Sequence, residues 1–246
     1  MYGPLSTQFY DADKPHADPA EIAWYDARLP RDAGPVLDAM CGSGRLLVPL
    51  AQGGLRVHGV DTSTAMLASC RSRLANASLD APLFRQDLTE LNVPFRYGAA
   101  FVAAGSFQLL ADEASAKVAL ARLKAHLVPP GLVLLDLSIP DAALHPPAAP
   151  LIEVRAVKLD GNQRITLRSE TRVDTFARRL NVESRYEKRD AAGVITREDE
   201  SLALTWYDAE QVRALLEAAG FDDITLEPAA YATTETHAFG VRARAR

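Results

Sequence analysis

Cysteine is nearly missing from this sequence: Cys41 and Cys70 are the two thiols in 246 residues. Two thiols make no disulfide framework, and neither stands in the spacing with other cysteines or histidines that a metal centre uses. Long apolar runs are missing as well. No stretch reaches the ~20 residues that cross a bilayer. The N-terminus lacks the charged-then-apolar pattern of a secretory leader, so the expectation is a cytoplasmic protein with no membrane partner. A long basic block is also absent. The net charge is −5, and the one basic stretch, Val241-Arg242-Ala243-Arg244-Ala245-Arg246, is short and reads as a solvated terminus. Nucleic acid is therefore not an expected partner. The five histidines, His16, His58, His126, His145 and His237, have no evident ligand partners, and no bound metal is expected. What remains is ordinary for a globular chain: 48% hydrophobic and 24% charged residues. That is enough for one core, with or without an insertion, in a monomer or homodimer.

The chain is organised around Val36-Leu37-Asp38-Ala39-Met40-Cys41-Gly42-Ser43-Gly44-Arg45. Val36 and Leu37 read as a buried strand. Gly42 and Gly44 permit a sharp turn and close approach of backbone to a ligand. Leu46, Leu47, Leu50 and Ala51 follow at helical spacing. A helix opening at such a turn offers free N–H groups. A second strand, Leu55–Val60, ends at Asp61, and a third, Pro82–Gln86, ends at Asp87. Three strands that each end in an acid suit a nucleoside with amines and hydroxyls to bind. A dinucleotide fold is the rival reading, but it wants a third glycine where Leu47 stands. A Tyr-x-x-x-Lys pair occurs only at Tyr10 and Lys14, ahead of the first strand, where dehydrogenase chemistry would not sit.

With its three acids in register, the pattern resembles that of the class I S-adenosylmethionine-dependent methyltransferases, roughly V-L-D-x-G-C-G-x-G followed by an acid after strand two and another after strand three. One departure is Met40, where glycine is usual. The resemblance implies an α/β fold: a Rossmann-like class I methyltransferase sheet with helices on both faces, plus an inserted antiparallel β-sheet. It implies S-adenosylmethionine as cofactor, held by Tyr10, Asp38, Met40, Cys41, Gly42, Gly44, Arg45, Asp61, Thr62, Met66, Gln86, Asp87, Leu88 and Ala104. The opening Tyr2-Gly3 through Phe9-Tyr10-Asp11 is similar to the N-termini of small-molecule N-methyltransferases, including the TDP-amino-sugar dimethyltransferases. There the segment covers the cofactor and carries a tyrosine near the sulfonium, a place that falls to Tyr10. Gly105-Ser106-Phe107-Gln108-Leu109 is similar to the family's loop after strand four, with Leu109 where histidine often stands. This implies that Ser106, Phe107 and Gln108 meet the acceptor, with Tyr10 and Gln108 positioning it for reaction. Leu215-Leu216-Glu217-Ala218-Ala219-Gly220-Phe221 is similar to the family's closing phrase.

Along the chain, residues 1–34 read as a lid segment, with a helix from Pro19 to Leu29 capped by Asp18. Residues 35–140 alternate strand and helix, which implies a parallel sheet. They include a helix capped by Ser63 that runs to about Asn76, a fourth strand Tyr97–Ala104, a helix Asp112–Leu127 and a fifth strand Leu132–Leu137. After a Pro- and Ala-rich linker, residues 150–206 change to period-two alternation in four segments, the mark of a half-exposed antiparallel sheet. Residues 207–246 return to the first domain, with a helix capped by Asp208 and a closing strand pair.

Methyl transfer from a sulfonium asks for in-line alignment and exclusion of water. A neutral amine is already a nucleophile, whereas a phenol or carbon acid calls for a placed base or a metal. No constellation of residues for either is visible. The expected function is methyl transfer to a nitrogen of a small-molecule acceptor, such as an amino sugar, an amino acid or a nitrogen heterocycle of secondary metabolism. The alternatives are O- or C-methylation of a small molecule, or methylation of a protein or RNA.

Overall fold

The computed structural model describes residues 2–110, 112–229 and 237–246. Two helices come first, α1 (Pro4–Asp13) and α2 (Pro19–Asp26). Each begins at proline, whose missing N–H costs nothing in a first turn, and Asp18 caps α2 by accepting the Ala20 N–H at 2.7 Å. Strand and helix then alternate through β1 (Val36–Ala39), α3 (Leu47–Gln52), β2 (Val57–Asp61), α4 (Thr64–Asn76), β3 (Leu83–Arg85), β4 (Tyr97–Val102), α5 (Glu113–His126) and β5 (Leu127–Ser138). A short α6 (Asp141–Leu144) leads to four long strands, β6 (Leu151–Leu159), β7 (Gln163–Asp174), β8 (Arg179–Arg189) and β9 (Ile195–Thr205). The chain closes with α7 (Ala209–Ala218), β10 (Phe221–Pro228) and β11 (Ala238–Ala245).

These strands form two sheets. The larger has the order β10-β11-β5-β4-β1-β2-β3; its strands are parallel except for β11, which runs antiparallel between β5 and β10. Because alternate residues of a strand face opposite sides, β1 sends Val36 to one core and Leu37 to the other. In β5, Leu132 and Leu134 face the layer of α2, α3 and α4, while Val133, Leu135 and Leu137 face α5 and α7. The smaller sheet is the antiparallel meander β6-β7-β8-β9. Its inner face packs Ile165, Leu167 and Tyr186 against Leu5 and Phe9 of α1.

Several elements differ from what the sequence suggests: the helix expected over Pro19–Leu29 ends at Asp26, the fourth strand ends at Val102 rather than Ala104, and the linker holds the short α6. The start of the lid segment, read only as an aromatic-rich stretch, is a helix. β5 begins at Leu127 rather than Leu132, because Leu127 already pairs with Tyr97 before a register shift. No helix among the described residues is long and apolar enough to cross a membrane.

Candidate active site

The parallel strands end around a cavity of about 470 Å³, within the usual range for small-molecule sites. Its floor is the turn after β1. Met40, Gly42 and Gly44 all have left-handed backbone, with φ of 65°, 54° and 78°. Gly42 lines the cavity. Gly44 does not; a Cβ there would stand 2.5 Å from Cys70 Sγ on α4. Its left-handed φ and its close packing on α4 both call for glycine here.

Asp61, at the end of β2, ties this turn down. Its Oδ2 accepts the Gly42 N–H at 2.9 Å and its Oδ1 the Ser63 N–H at 2.8 Å. Asp61 itself lines the cavity, beside Thr62, Ser63 and Met66. Burial raises the Asp61 carboxyl above its ordinary value, opposed by the N–H groups it accepts. Asp38, at the end of β1, is buried and lines the cavity. Burial holds its pKa well above the carboxylate range, with Cys70 and Asp61 adding to the effect and Arg45 opposing it. Asp87 and Leu88, after β3, also line the cavity. Asp87 Oδ1 caps the following 3-10 turn through Thr89. Gln86 stands on the wall, but its side-chain amide is spent on Asn92, accepting its N–H at 2.7 Å and donating to its carbonyl at 3.1 Å. Cys41 lines the cavity as a buried thiol whose Sγ donates to the Gly42 carbonyl at 3.8 Å; the neighbouring Cys70 and burial push its pKa up.

The roof comes from elements far away in sequence. α1 brings Tyr2, just before it, Tyr10, and Lys14, just after it. The rings of Tyr2 and Tyr10 meet edge to face at 6.0 Å. The helix is strapped on both sides. Ser63 Oγ donates to the Tyr2 carbonyl at 2.6 Å. Asp11 accepts from Ser69 and Arg73 of α4. Glu198 of β9 accepts the N–H groups of Leu5 and Ser6 at the first turn. Arg45 Nε donates to Tyr10 Oη at 3.3 Å. The smaller sheet closes the remaining side with the aliphatic Val182, Leu202 and Leu204. Tyr2, Lys14 and these three aliphatic residues were missed from sequence, since nothing local marks which alternate residues of β8 and β9 face the cavity.

The loop after β4 is divided. Ala104, Gly105 and Ser106 line the cavity. Phe107 and Gln108, expected to meet the acceptor, do not. Phe107 is fully buried in the core beside Tyr207, at 6.2 Å between ring centroids. Gln108, also fully buried, donates to the Ser138 carbonyl at 2.8 Å and accepts the Ser138 N–H at 2.9 Å, with Thr205 O at 3.4 Å. The 3-10 turn at Ser106–Leu109 aims both side chains inward. Gln108 is thereby a tie between β5 and β9, and the positioning role expected of it is corrected. His58 is packed among Phe84, Phe95 and Tyr97, and burial and Arg56 lower its pKa.

The donor set fits S-adenosylmethionine. Carboxylates at Asp61 and Asp87 suit hydroxyls and an amine, the left-handed glycine turn admits close approach, and Asp38 offers a carboxylate where a cation would be welcome. Among the described residues no group of three or more His, Cys, Asp or Glu could hold a metal.

Comparison with known proteins points the same way. Residues 36–131 match the family model described as a methyltransferase domain. The chain is similar to the dTDP-3-amino-3,6-dideoxy-alpha-D-glucopyranose N,N-dimethyltransferase of Streptomyces fradiae, 29% identical over 83% of this chain and 76% of that one. An amino pentose methyltransferase from Micromonospora echinaspora, solved with S-adenosylmethionine bound, has the same fold: TM-score 0.71 at 22% identity, covering 100% of this chain and 98% of that one. A glycopeptide N-methyltransferase solved with S-adenosylhomocysteine superposes with TM-score 0.61 at 27% identity, covering 92% and 89%.

Proposed function

The chain is a class I S-adenosylmethionine-dependent methyltransferase, and from that premise we propose that it methylates a nitrogen of a small, largely uncharged molecule carrying an amine. Bound S-adenosylmethionine supplies an electrophilic methyl group on a sulfonium. The chain's own part is to hold, orient and dry the site.

The carrying observation is the two-sided character of the cavity. Its floor and strand ends are polar and acidic, at Asp38, Asp61 and Asp87, while the side reached from β8 and β9 is aliphatic, at Val182, Leu202 and Leu204. The polar half suits the cofactor. The aliphatic half suits the body of an acceptor whose amine points back towards the tyrosines of α1. Tyr2 is pushed up chiefly by burial, with Glu200 and Tyr10 adding, so its hydroxyl stays a neutral donor and acceptor. Tyr10 Oη, fixed by Arg45, stands beside it. A neutral amine attacks unaided once aligned, and alignment with exclusion of water can supply much of the rate. Two of the relatives named above are by name N-methyltransferases, of an amino sugar and of a glycopeptide, which supports the same reading. The net charge of −5 favours a small acceptor over RNA.

The test is a panel of free amino sugars, nucleotide-linked amino sugars, peptides with a free N-terminus, phenols and active-methylene compounds, scored by S-adenosylhomocysteine release and product mass. Transfer to amines, persisting in EDTA, is expected. Transfer confined to phenols or carbon acids, or abolished by EDTA and restored by Mg²⁺, overturns the proposal.

A further inference from the structure

Asp136 and Tyr25 lie behind the cavity wall, and neither lines it. Asp136 follows Leu132 and Leu134 along one side of β5, so a carboxylate lands in an apolar layer with 0% of its surface exposed. Tyr25 of α2, also 0% exposed, donates its hydroxyl to Asp136 Oδ2. The same oxygen receives the backbone N–H of Ala104 at 3.4 Å. Ala104 has φ of 53° and is followed by Gly105 at 70°. Glycine holds such a backbone freely; alanine does not, and strain of this kind persists where the surroundings over-determine it. Both residues line the cavity, at the end of β4 between the acidic half and the aliphatic half.

We propose that Tyr25 and Asp136 are positioning residues: the phenol orients the buried carboxylate, the carboxylate holds Ala104 in its left-handed conformation, and Ala104 sets the wall against which cofactor and acceptor meet. The inference rests on the placement of S-adenosylmethionine in this cavity. Burial, with Asp136 next, pushes the Tyr25 phenol well up, which keeps it a donor. A buried carboxylate is a costly way to fill space, and here it joins the phenol of α2 to the backbone of a strained residue of the site.

The test uses S-adenosylhomocysteine binding by calorimetry, with thermal melting alongside. The assay contains no acceptor, so its outcome is independent of the nitrogen reading. Tyr25→Phe is expected to weaken binding about fivefold, and Asp136→Ala about tenfold or more. Asp136→Asn, which keeps an oxygen for the Ala104 N–H, should stay within about threefold. The decisive arm repeats these substitutions in an Ala104→Gly background. Glycine needs no clamp, so the penalties should shrink to about twofold or less. A general packing role would lower the melting temperature equally in both backgrounds and leave the binding penalty unchanged, and that result overturns the proposal. If Asp136→Ala does not fold, Tyr25→Phe decides by the same comparison. If the unsubstituted protein binds no S-adenosylhomocysteine, the placement of the cofactor fails and the inference falls with it.

Discussion

Arg45 and Glu21 pair through both guanidinium N–H groups, at 2.5 and 2.7 Å, with side chains only 14% and 6% exposed. The arginine of the glycine turn is therefore already paired with a carboxylate of α2, and it lines the cavity together with Lys14, exposed at the end of α1. Breaking a buried pair from one side strands the other charge and costs about 3 kcal/mol or more. Glu21→Gln should lower the melting temperature by about 6–12 °C in a chain of this size. A shift under about 2 °C would show that the pair behaves as a surface contact.

Asp61→Ala should weaken S-adenosylmethionine binding about ten- to hundredfold, the usual result of losing a charged hydrogen-bond acceptor; Asp61 is half-buried. It also frees the Gly42 N–H, so the loss should exceed that of Asp87→Ala, whose carboxylate is exposed. Calorimetry that ranks the two variants the other way contradicts the assignment.

Asp38 predicts a pH effect of definite sign. Its folded-state pKa lies above the ordinary carboxylate value of about 3.9 because it is buried. In the interval between the two values the native state holds the extra proton, so the free protein loses stability as pH rises through it. A cationic ligand favours the ionised form. Binding of S-adenosylmethionine should therefore release a proton and strengthen with rising pH over the same interval. Calorimetry in two buffers of different ionisation enthalpy measures that proton, and Asp38→Asn should abolish its release.

Met40 stands at φ 65°, where a side chain costs about 1–2 kcal/mol and glycine nothing. Glycine in turn gives up about 0.5–1 kcal/mol of chain entropy. The two nearly cancel, so Met40→Gly should melt within a few degrees of the parent. Met40→Val, β-branched in the same conformation, should melt about 4 °C or more lower. Equal melting of the two variants would show that the turn relaxes away from this geometry.

Glu198→Ala removes both acceptors at the first turn of α1. Those bonds join a carboxylate to a helix N-terminus, a favourable pairing. Hydrogen exchange across Pro4–Asp13 should speed up about tenfold, with a smaller change in the sheet. Turnover should fall with it, since the roof of the cavity is α1. Unchanged exchange would mean that the apolar packing of Leu5 and Phe9 alone holds the helix.

Much of this was legible in the chain. Gly42 beside Asp38, Asp61 and Asp87 is a local signal repeated in register, and it placed the polar half of the cavity. Period-two alternation in four segments between residues 150 and 206 announced an antiparallel sheet, because period two has few other physical causes. Met40 read only as a departure from the usual glycine, and it stands at left-handed φ. Other features were hidden because they are long-range. Ser106 and Phe107 are neighbours on a 3-10 turn that sends one to the cavity and the other to the core. Gln108 read as a polar loop residue, yet its partners, Ser138 and Thr205, lie 30 and 97 residues away. Lys14 and Tyr2 gained a role only when α1 crossed the mouth of the sheet, and the register of β8 and β9 alone decided that Val182, Leu202 and Leu204 face inward.

The strap between Leu5 and Glu198 spans 193 residues. During synthesis the ribosome makes α1 early and the strand that fastens it near the end. Until β7 and β8 have emerged, Leu5 and Phe9 lack Ile165, Leu167 and Tyr186, the partners that they pack against, and the basin of carboxylates below stays open. The turn at Gly42 and the acids of β1 to β3 can assemble well before that. Domains tend to form in order as they leave the ribosome, and contacts this distant in sequence form slowly. α1 is thus among the last elements to be fastened, and the cavity that it covers stands open until then.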